Sequence, residues 1–153
     1  MKKLSVLFFA LFCLAATQAD AQEYKTAIGA KFYVGDGTLG GFNIRHSLKE
    51  NAAVEGSLLF QTGGVGLEGL YEYQGPINGA AGLQYFVGGG ALLGIGTEKH
   101  GGASFGLRLT GGLDYKFTDA PINVSLGFDP IFNIAPSTWS SLTLGIGFRY
   151  VLP

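Results

Sequence analysis

The stretch Leu142–Tyr150 most constrains what this chain can fold into, because its apolar and polar residues alternate without interruption. Its even-numbered residues are large and apolar, whereas its odd-numbered residues are Thr143, Gly145, Gly147 and Arg149. Successive side chains of a β-strand point to opposite faces, so this pattern predicts a strand with one apolar and one polar face. A single strand leaves its backbone groups unpaired, and the rest of the chain must therefore supply partners.

Seven further segments show the same alternation, and glycine, proline, asparagine and aspartate separate them. Leu59 and Leu70 depart from the pattern, and Pro130 interrupts the seventh segment. An even number of short strands with tight turns predicts an all-β fold, namely a closed antiparallel up-and-down barrel of eight strands. The predicted strands are Tyr24–Val34, Leu39–Lys49, Ala52–Gln61, Val65–Gln74, Ala81–Ile95, Ala103–Phe117, Ile122–Ala135 and Leu142–Tyr150.

The apolar face of this barrel is predicted to point outward. An eight-stranded barrel has an interior just wide enough for side chains, and about thirty large apolar residues would overfill it. The chain is 47% hydrophobic and only 14% charged, against about 25% charged in soluble domains. No apolar run reaches the ~20 residues that a transmembrane helix needs. The sequence therefore predicts a transmembrane β-barrel.

The charged residues of the strands fall on the polar face, which the barrel turns inward. In mid-barrel five are basic and five acidic, so they can pair there, whereas unpaired charges would be prohibitive to bury. A structural network is favoured over acid–base chemistry, even for Glu68 and Glu72, which share a face four residues apart. The predicted lumen network comprises Lys31, Arg45, Glu55, Glu68, Glu72, Arg108, Asp114, Lys116, Asp129 and Arg149.

Aromatic residues cluster at the strand ends, as in the two girdles that flank the apolar band of a membrane barrel. One predicted ring of aromatic residues lies at the ends of the even-numbered strands. It comprises Tyr71, Tyr73, Tyr115, Phe117, Phe148 and Tyr150, and the opposite end carries Phe32, Phe60, Phe105 and Trp139.

The N-terminus has the pattern of a secretory signal peptide. Lys2 and Lys3 precede the apolar run Leu4–Ala16, and Ala19-Asp20-Ala21 is a cleavage site. We expect residues 1–21 to be cleaved and 22–153 to form the barrel domain. The single cysteine, Cys13, lies in the cleaved part, so no disulfide is expected. The chain has no basic patch, which argues against nucleic-acid binding.

The last strand carries Thr143, Gly145, Phe148 and Tyr150, and their spacing resembles the terminal signal that the outer-membrane assembly machinery recognises. With the eight-strand pattern, the chain resembles the small outer-membrane barrels of Gram-negative bacteria, the OmpA/OmpX/OmpW-like group. The resemblance implies a location in the cell outer membrane with both termini in the periplasm. It also implies contact with outer-membrane lipids and lipopolysaccharide, and a monomeric state is expected.

No catalytic constellation is apparent, and no metal or cofactor is expected. The favoured interpretation is a non-enzymatic barrel with a plugged, charge-paired lumen and a structural or surface role. One alternative is a narrow transporter for small hydrophobic molecules, because Asp129-Pro130 would open a lateral gap if proline removes a hydrogen bond between strands. Another is a lipid-modifying enzyme, for which His100, Ser104 and Glu98 are the candidate residues.

Overall fold

The computed structural model describes residues 25–35, 38–96 and 102–153. This part of the chain forms ten β-segments. They are β1 Thr26–Gly35, β2 Leu39–Lys49, β3 Ala52–Gln61, β4 Gly64–Pro76, β5 Leu83–Gly96, β6 Ala103–Lys116, β7 Ile122–Phe128, β8 Ile131–Ala135, β9 Trp139–Ser141 and β10 Thr143–Val151.

The ten segments make eight barrel strands, because β7 and β8 are two parts of one strand, as are β9 and β10. Each strand pairs antiparallel with its neighbour in sequence, β5 pairs with β6, and β10 pairs with β1. The ring of hydrogen bonds is closed, which confirms the predicted eight-stranded all-β barrel. Among the described residues, no helix is long and apolar enough to cross a membrane.

The first and last strands form the closing pair, as predicted. Ile28 lies opposite Tyr150, and Phe32 lies opposite Ile146. The last strand begins at Thr143 and ends at Val151, one residue later at each end than the alternation predicted.

The two ends of the barrel differ in their connections. The terminal end carries Lys25, Pro153 and the turns at 50–51, 77–82 and 117–121; the loop end carries the remaining connections. At the loop end, Thr62-Gly63 joins β3 to β4, and the positive φ of Gly63 (84°) suits glycine. At the terminal end, β4 continues to Pro76 rather than turning at Gly75. Proline is tolerated there because it is the last residue of the strand.

The barrel is apolar outside and polar inside, as the alternation predicted. Phe42 is 70% exposed and Leu67 58% exposed, whereas Arg108 and Asp129 are 0% exposed. Burying these charges is tolerable because Arg108 pairs with Glu68 and Asp129 accepts a hydrogen bond from Thr110.

Some large side chains also point inward and fill space between the charges. Tyr33 and Leu59 are fully buried, and Leu70 and Phe86 nearly so. Leu59 and Leu70, the exceptions to the predicted pattern, are therefore lumen-filling residues.

Candidate functional site

Arg108 is the centre of the half of the lumen nearer the loop end, here called the loop half. Its Nε lies 2.6 Å from Oε2 of Glu68, and its guanidinium carbon lies 3.8 Å from the centroid of the Tyr33 ring. Its Nη1 donates to Oγ1 of Thr143 at 2.9 Å and to the carbonyl of Asp129 at 3.2 Å. One cation thus contacts three side chains and one backbone carbonyl, which come from four other barrel strands.

The anions of the loop half have further donors. The Tyr33 hydroxyl donates to Oε1 of Glu68 at 2.6 Å, and the Thr110 hydroxyl donates to the Asp129 carboxylate. Toward the loop end, Leu59 and Ile131 are buried. The loop half is therefore closely packed.

Arg149 connects the middle of the lumen. It pairs with Glu55, which also pairs with Lys31. Arg149 Nε donates to the Asn43 amide oxygen, and Nη1 donates to the Asn123 amide oxygen at 3.0 Å. Residues from β2, β3 and β7 thus meet at the Arg149 guanidinium of β10, and Glu55 links it to Lys31 on β1.

Arg45 is the centre of the half nearer the terminal end, here called the terminal half. Its Nη2 lies 2.9 Å from Oε2 of Glu72, and its Nη1 lies 2.6 Å from Oδ2 of Asp114. Nη2 also donates to Oε1 of Gln74 at 2.8 Å. The Phe86 ring lies beside this guanidinium, with 5.9 Å from its centroid to the guanidinium carbon.

A cavity of about 610 Å³ opens from this cluster toward the terminal end. We call it the terminal mouth. Arg45 and Asp114 belong to its lining, and Lys25, Lys49, Glu50, Gln84 and Lys116 lie around them. The lumen therefore has a polar recess at one end and close packing toward the other.

The structure brings the predicted network residues together in clusters around three arginines, and Asp114 links the clusters of Arg45 and Arg149. Glu68 and Glu72 do not form a carboxylate pair, because each meets a different arginine and Leu70 lies between them on the inward face. Asp129 is held by Thr110, and half-buried Lys116 lies at the terminal mouth. The ion pairs join Lys31, Arg45, Arg108 and Arg149 to Glu55, Glu68, Glu72 and Asp114.

Uncharged polar residues complete the clusters, and the sequence prediction did not single them out. Asn43 and Asn123 bind Arg149, Gln74 binds Arg45, and Thr110 binds Asp129. The sequence signal that could have identified them is their place in the alternation, which puts them on the inward face of their strands. A barrel lumen offers little water, so amides and hydroxyls must supply the remaining hydrogen bonds of buried charges.

The aromatic residues predicted as a girdle lie on the outer surface near the terminal end. Tyr71, Tyr73, Tyr115, Phe117 and Phe148 are exposed, and Tyr150 is half-buried. Tyr115 and Phe117 pack edge to face with ring centroids 4.8 Å apart.

The residues predicted as an assembly signal divide between the two faces of β10. Thr143 and Gly145 face the lumen, whereas Phe148 faces outward. A Cβ on Gly145 would overlap Oδ2 of Asp129 and crowd the Tyr33 ring, so lumen packing requires glycine there. Recognition of these residues by the assembly machinery stays a prediction.

The strand break at Asp129-Pro130 is bridged on both sides. The Asp129 amide donates to the Thr143 carbonyl at 2.8 Å, and the Leu109 amide donates to the Pro130 carbonyl at 3.0 Å. The break is therefore an irregularity within a paired wall. The predicted lateral gap would require these two hydrogen bonds to open.

The candidate catalytic residues are not assembled into a described site. His100 and Glu98 lie outside the described residues, and Ser104 is half-buried on β6. The outward-facing His46 has its Nδ1 2.8 Å from the Thr26 hydroxyl. Within the described ranges, no three histidine, cysteine or acidic residues are grouped to hold a metal ion.

Comparison with known proteins supports the fold. Neither a protein-family model nor a curated protein sequence matches this chain. Among solved structures, the chain is similar to the N-terminal β-barrel domain of Pseudomonas aeruginosa OprF, with a TM-score of 0.66. The two are 18% identical, and the match covers 83% of this chain and 98% of that one. The likeness is one of fold.

Proposed function

We propose that this protein is an integral outer-membrane barrel with a charge-paired, largely plugged lumen and a structural or surface role without catalysis. The observation that carries the proposal is the ion-pair network, in which Arg108 and Arg149 are almost fully buried while large apolar side chains cover the outside. A water-soluble protein would expose the charges and bury the apolar residues. A lipid environment favours the arrangement found here.

The plugged lumen rests on the close packing of the loop half. Tyr33, Leu59 and Arg108 are fully buried inside the barrel. Aqueous channels of the porin type use about sixteen strands or more, whereas eight-stranded barrels fill their interior with side chains.

Planar-bilayer recording tests this proposal. We expect the purified protein to insert without large, stable conductance. The variant Tyr33→Ala with Leu59→Ala, which removes bulk without removing a lumen charge, is the positive control and should conduct. Large, stable conductance of the unmodified protein would contradict the plugged lumen. Solubility without detergent, with equal gel mobility before and after boiling, would contradict the membrane location.

A narrow transporter for small hydrophobic molecules is the second proposal, and the break between β7 and β8 favours it. The seam at Pro130 would have to open laterally for such a molecule to leave the lumen. Replacing Pro130 with Val should then abolish uptake of small apolar solutes, and unchanged uptake would refute the lateral route.

A further inference from the structure

The terminal mouth has the size and lining of a small-molecule site. Its volume, about 610 Å³, falls within the ~300–1,000 Å³ of typical ligand pockets. Its floor is fixed, because Arg45 bonds to Asp114, Glu72 and Gln74, and the Asn123 amide donates to Asp114. A rigid floor with charged residues around it is the arrangement expected of a preorganised site.

The charge around the terminal mouth favours anions. Lys25, Lys49 and Lys116 contribute three positive charges to the lining, and Glu50 contributes one negative charge. The other lining charges, Arg45 and Asp114, neutralise each other at 2.6 Å. Within the described residues, the ammonium groups of Lys25 and Lys49 have no hydrogen-bond or ion-pair partner. These groups can therefore meet an incoming oxyanion.

The terminal mouth also offers groups that bind hydroxyls. In the described part of the chain, the Gln84 side chain makes no hydrogen bond, and the Gln74 amide nitrogen makes one long contact of 3.4 Å. Leu48 and Pro76 add apolar surface to the lining. A free phosphate would fill a small fraction of this volume, so the lining fits a larger molecule with hydroxyls as well as a charge.

The described connections at the opposite end of the barrel lack these charges. In the described connections at the loop end, residues 38, 62–63, 102 and 136–138 carry no charged side chain. An anion entering the terminal mouth also meets Glu72 and Glu55 beyond Arg45, and these carboxylates oppose deeper passage. The geometry is that of a recess that binds an anion rather than a channel that conducts one.

We propose that the terminal mouth binds a small polyhydroxylated phosphate, of the size and chemistry of a hexose phosphate. The phosphate would lie among the lysine ammonium groups, and the sugar hydroxyls would bond to the glutamine amides. This role is independent of whether the deeper lumen conducts.

Isothermal titration calorimetry of the purified protein in zwitterionic nanodiscs tests the proposal. Glucose 1-phosphate is the probe, and glucose and inorganic phosphate are the comparison ligands. We expect the phosphate ester to bind, glucose not to bind, and inorganic phosphate to bind more weakly. Raising the salt concentration should weaken binding, since exposed charges are screened.

Variants locate the binding at the terminal mouth. Lys25→Gln with Lys49→Gln should weaken binding about tenfold, since each exposed charge contributes up to about 1 kcal/mol. Glu50→Gln should strengthen it about two- to threefold by the same reasoning. Asp119→Asn is the matched control, because Asp119 is an acid on a turn of the same end outside the cavity lining. It should leave binding unchanged, and heat-modifiable gel mobility checks that each variant is folded.

The proposal is overturned if glucose 1-phosphate does not bind, or if glucose or inorganic phosphate binds equally well. It is also overturned if the double lysine variant binds like the unmodified protein. Loss of binding in nanodiscs containing phosphatidylglycerol would show that the lysines serve lipid headgroups instead, and would equally reject the site.

Discussion

The loop half and the terminal half of the lumen are formed by the inward faces of the barrel strands, but the charged residues in the two halves differ in their surroundings. Arg108 in the loop half is 0% exposed and packs against the Tyr33 ring, with Leu59 and Ile131 beyond. Arg45 in the terminal half lines a cavity that opens to the barrel end. Both halves contain ion pairs, so ion pairing does not distinguish them. They differ in the apolar side chains that lie between the charges and the barrel end.

The sharpest test of this difference removes one arginine from each half. Arg108→Leu should destabilise the barrel by about 3–5 kcal/mol, because Glu68 is left buried without its cation. Arg45→Leu should cost less, since water entering from the terminal mouth can reach the space that the guanidinium leaves beside Glu72 and Asp114. Urea unfolding in lipid vesicles measures both. Equal losses of stability would show that water is excluded equally from the two halves.

A second test adds one methyl group to the loop half. Gly145→Ala should destabilise the barrel by about 1–3 kcal/mol, because its Cβ would overlap the Asp129 carboxylate and crowd Tyr33. Gly69→Ala is the control, since a Cβ there meets no atom within 4 Å. The same urea titration should show little change for the control. A tolerated Gly145→Ala would mean that the loop half has spare volume.

The smallest expected effect concerns single hydrogen bonds. Tyr33→Phe removes the donor to Glu68 and should cost about 1–2 kcal/mol, since a buried acceptor loses its partner. Gln84→Met in the terminal mouth removes no hydrogen bond of the described chain and should change stability by less than about 0.5 kcal/mol. Thermal unfolding in detergent compares the two. A larger loss of stability for Gln84→Met than for Tyr33→Phe would show that the terminal half, rather than the loop half, is the more closely packed.

The sequence predicts the fold and the faces well because both follow from the period of a strand. The parity of Lys31 or Arg149 fixes which way each points once one face is known to be apolar. The closing pair follows as well, since a closed up-and-down barrel must join its first and last strands.

The individual ion pairs could not be predicted. Arg149 meets Glu55 across the lumen because strand tilt and stagger bring distant positions to one level. The local alternation of residues determines neither strand tilt nor stagger. Leu59 looked like an irregularity in that alternation, because its role depends on which lumen residues lie at the same height along the barrel axis. Local spacing therefore identifies the lumen residues, whereas the barrel geometry chooses their partners.

The pairing of β1 with β10 also has a consequence for biosynthesis. Ala27 lies opposite Val151, so the ring can close only when the last strand has been made. Until then one edge of β1 has no partner strand. Unpaired backbone groups at such an edge promote aggregation in water and are costly in lipid. A chain truncated before Thr143 would keep most of its hairpins but could not complete the ring. Only a chain that carries both of these strands can therefore form a closed barrel.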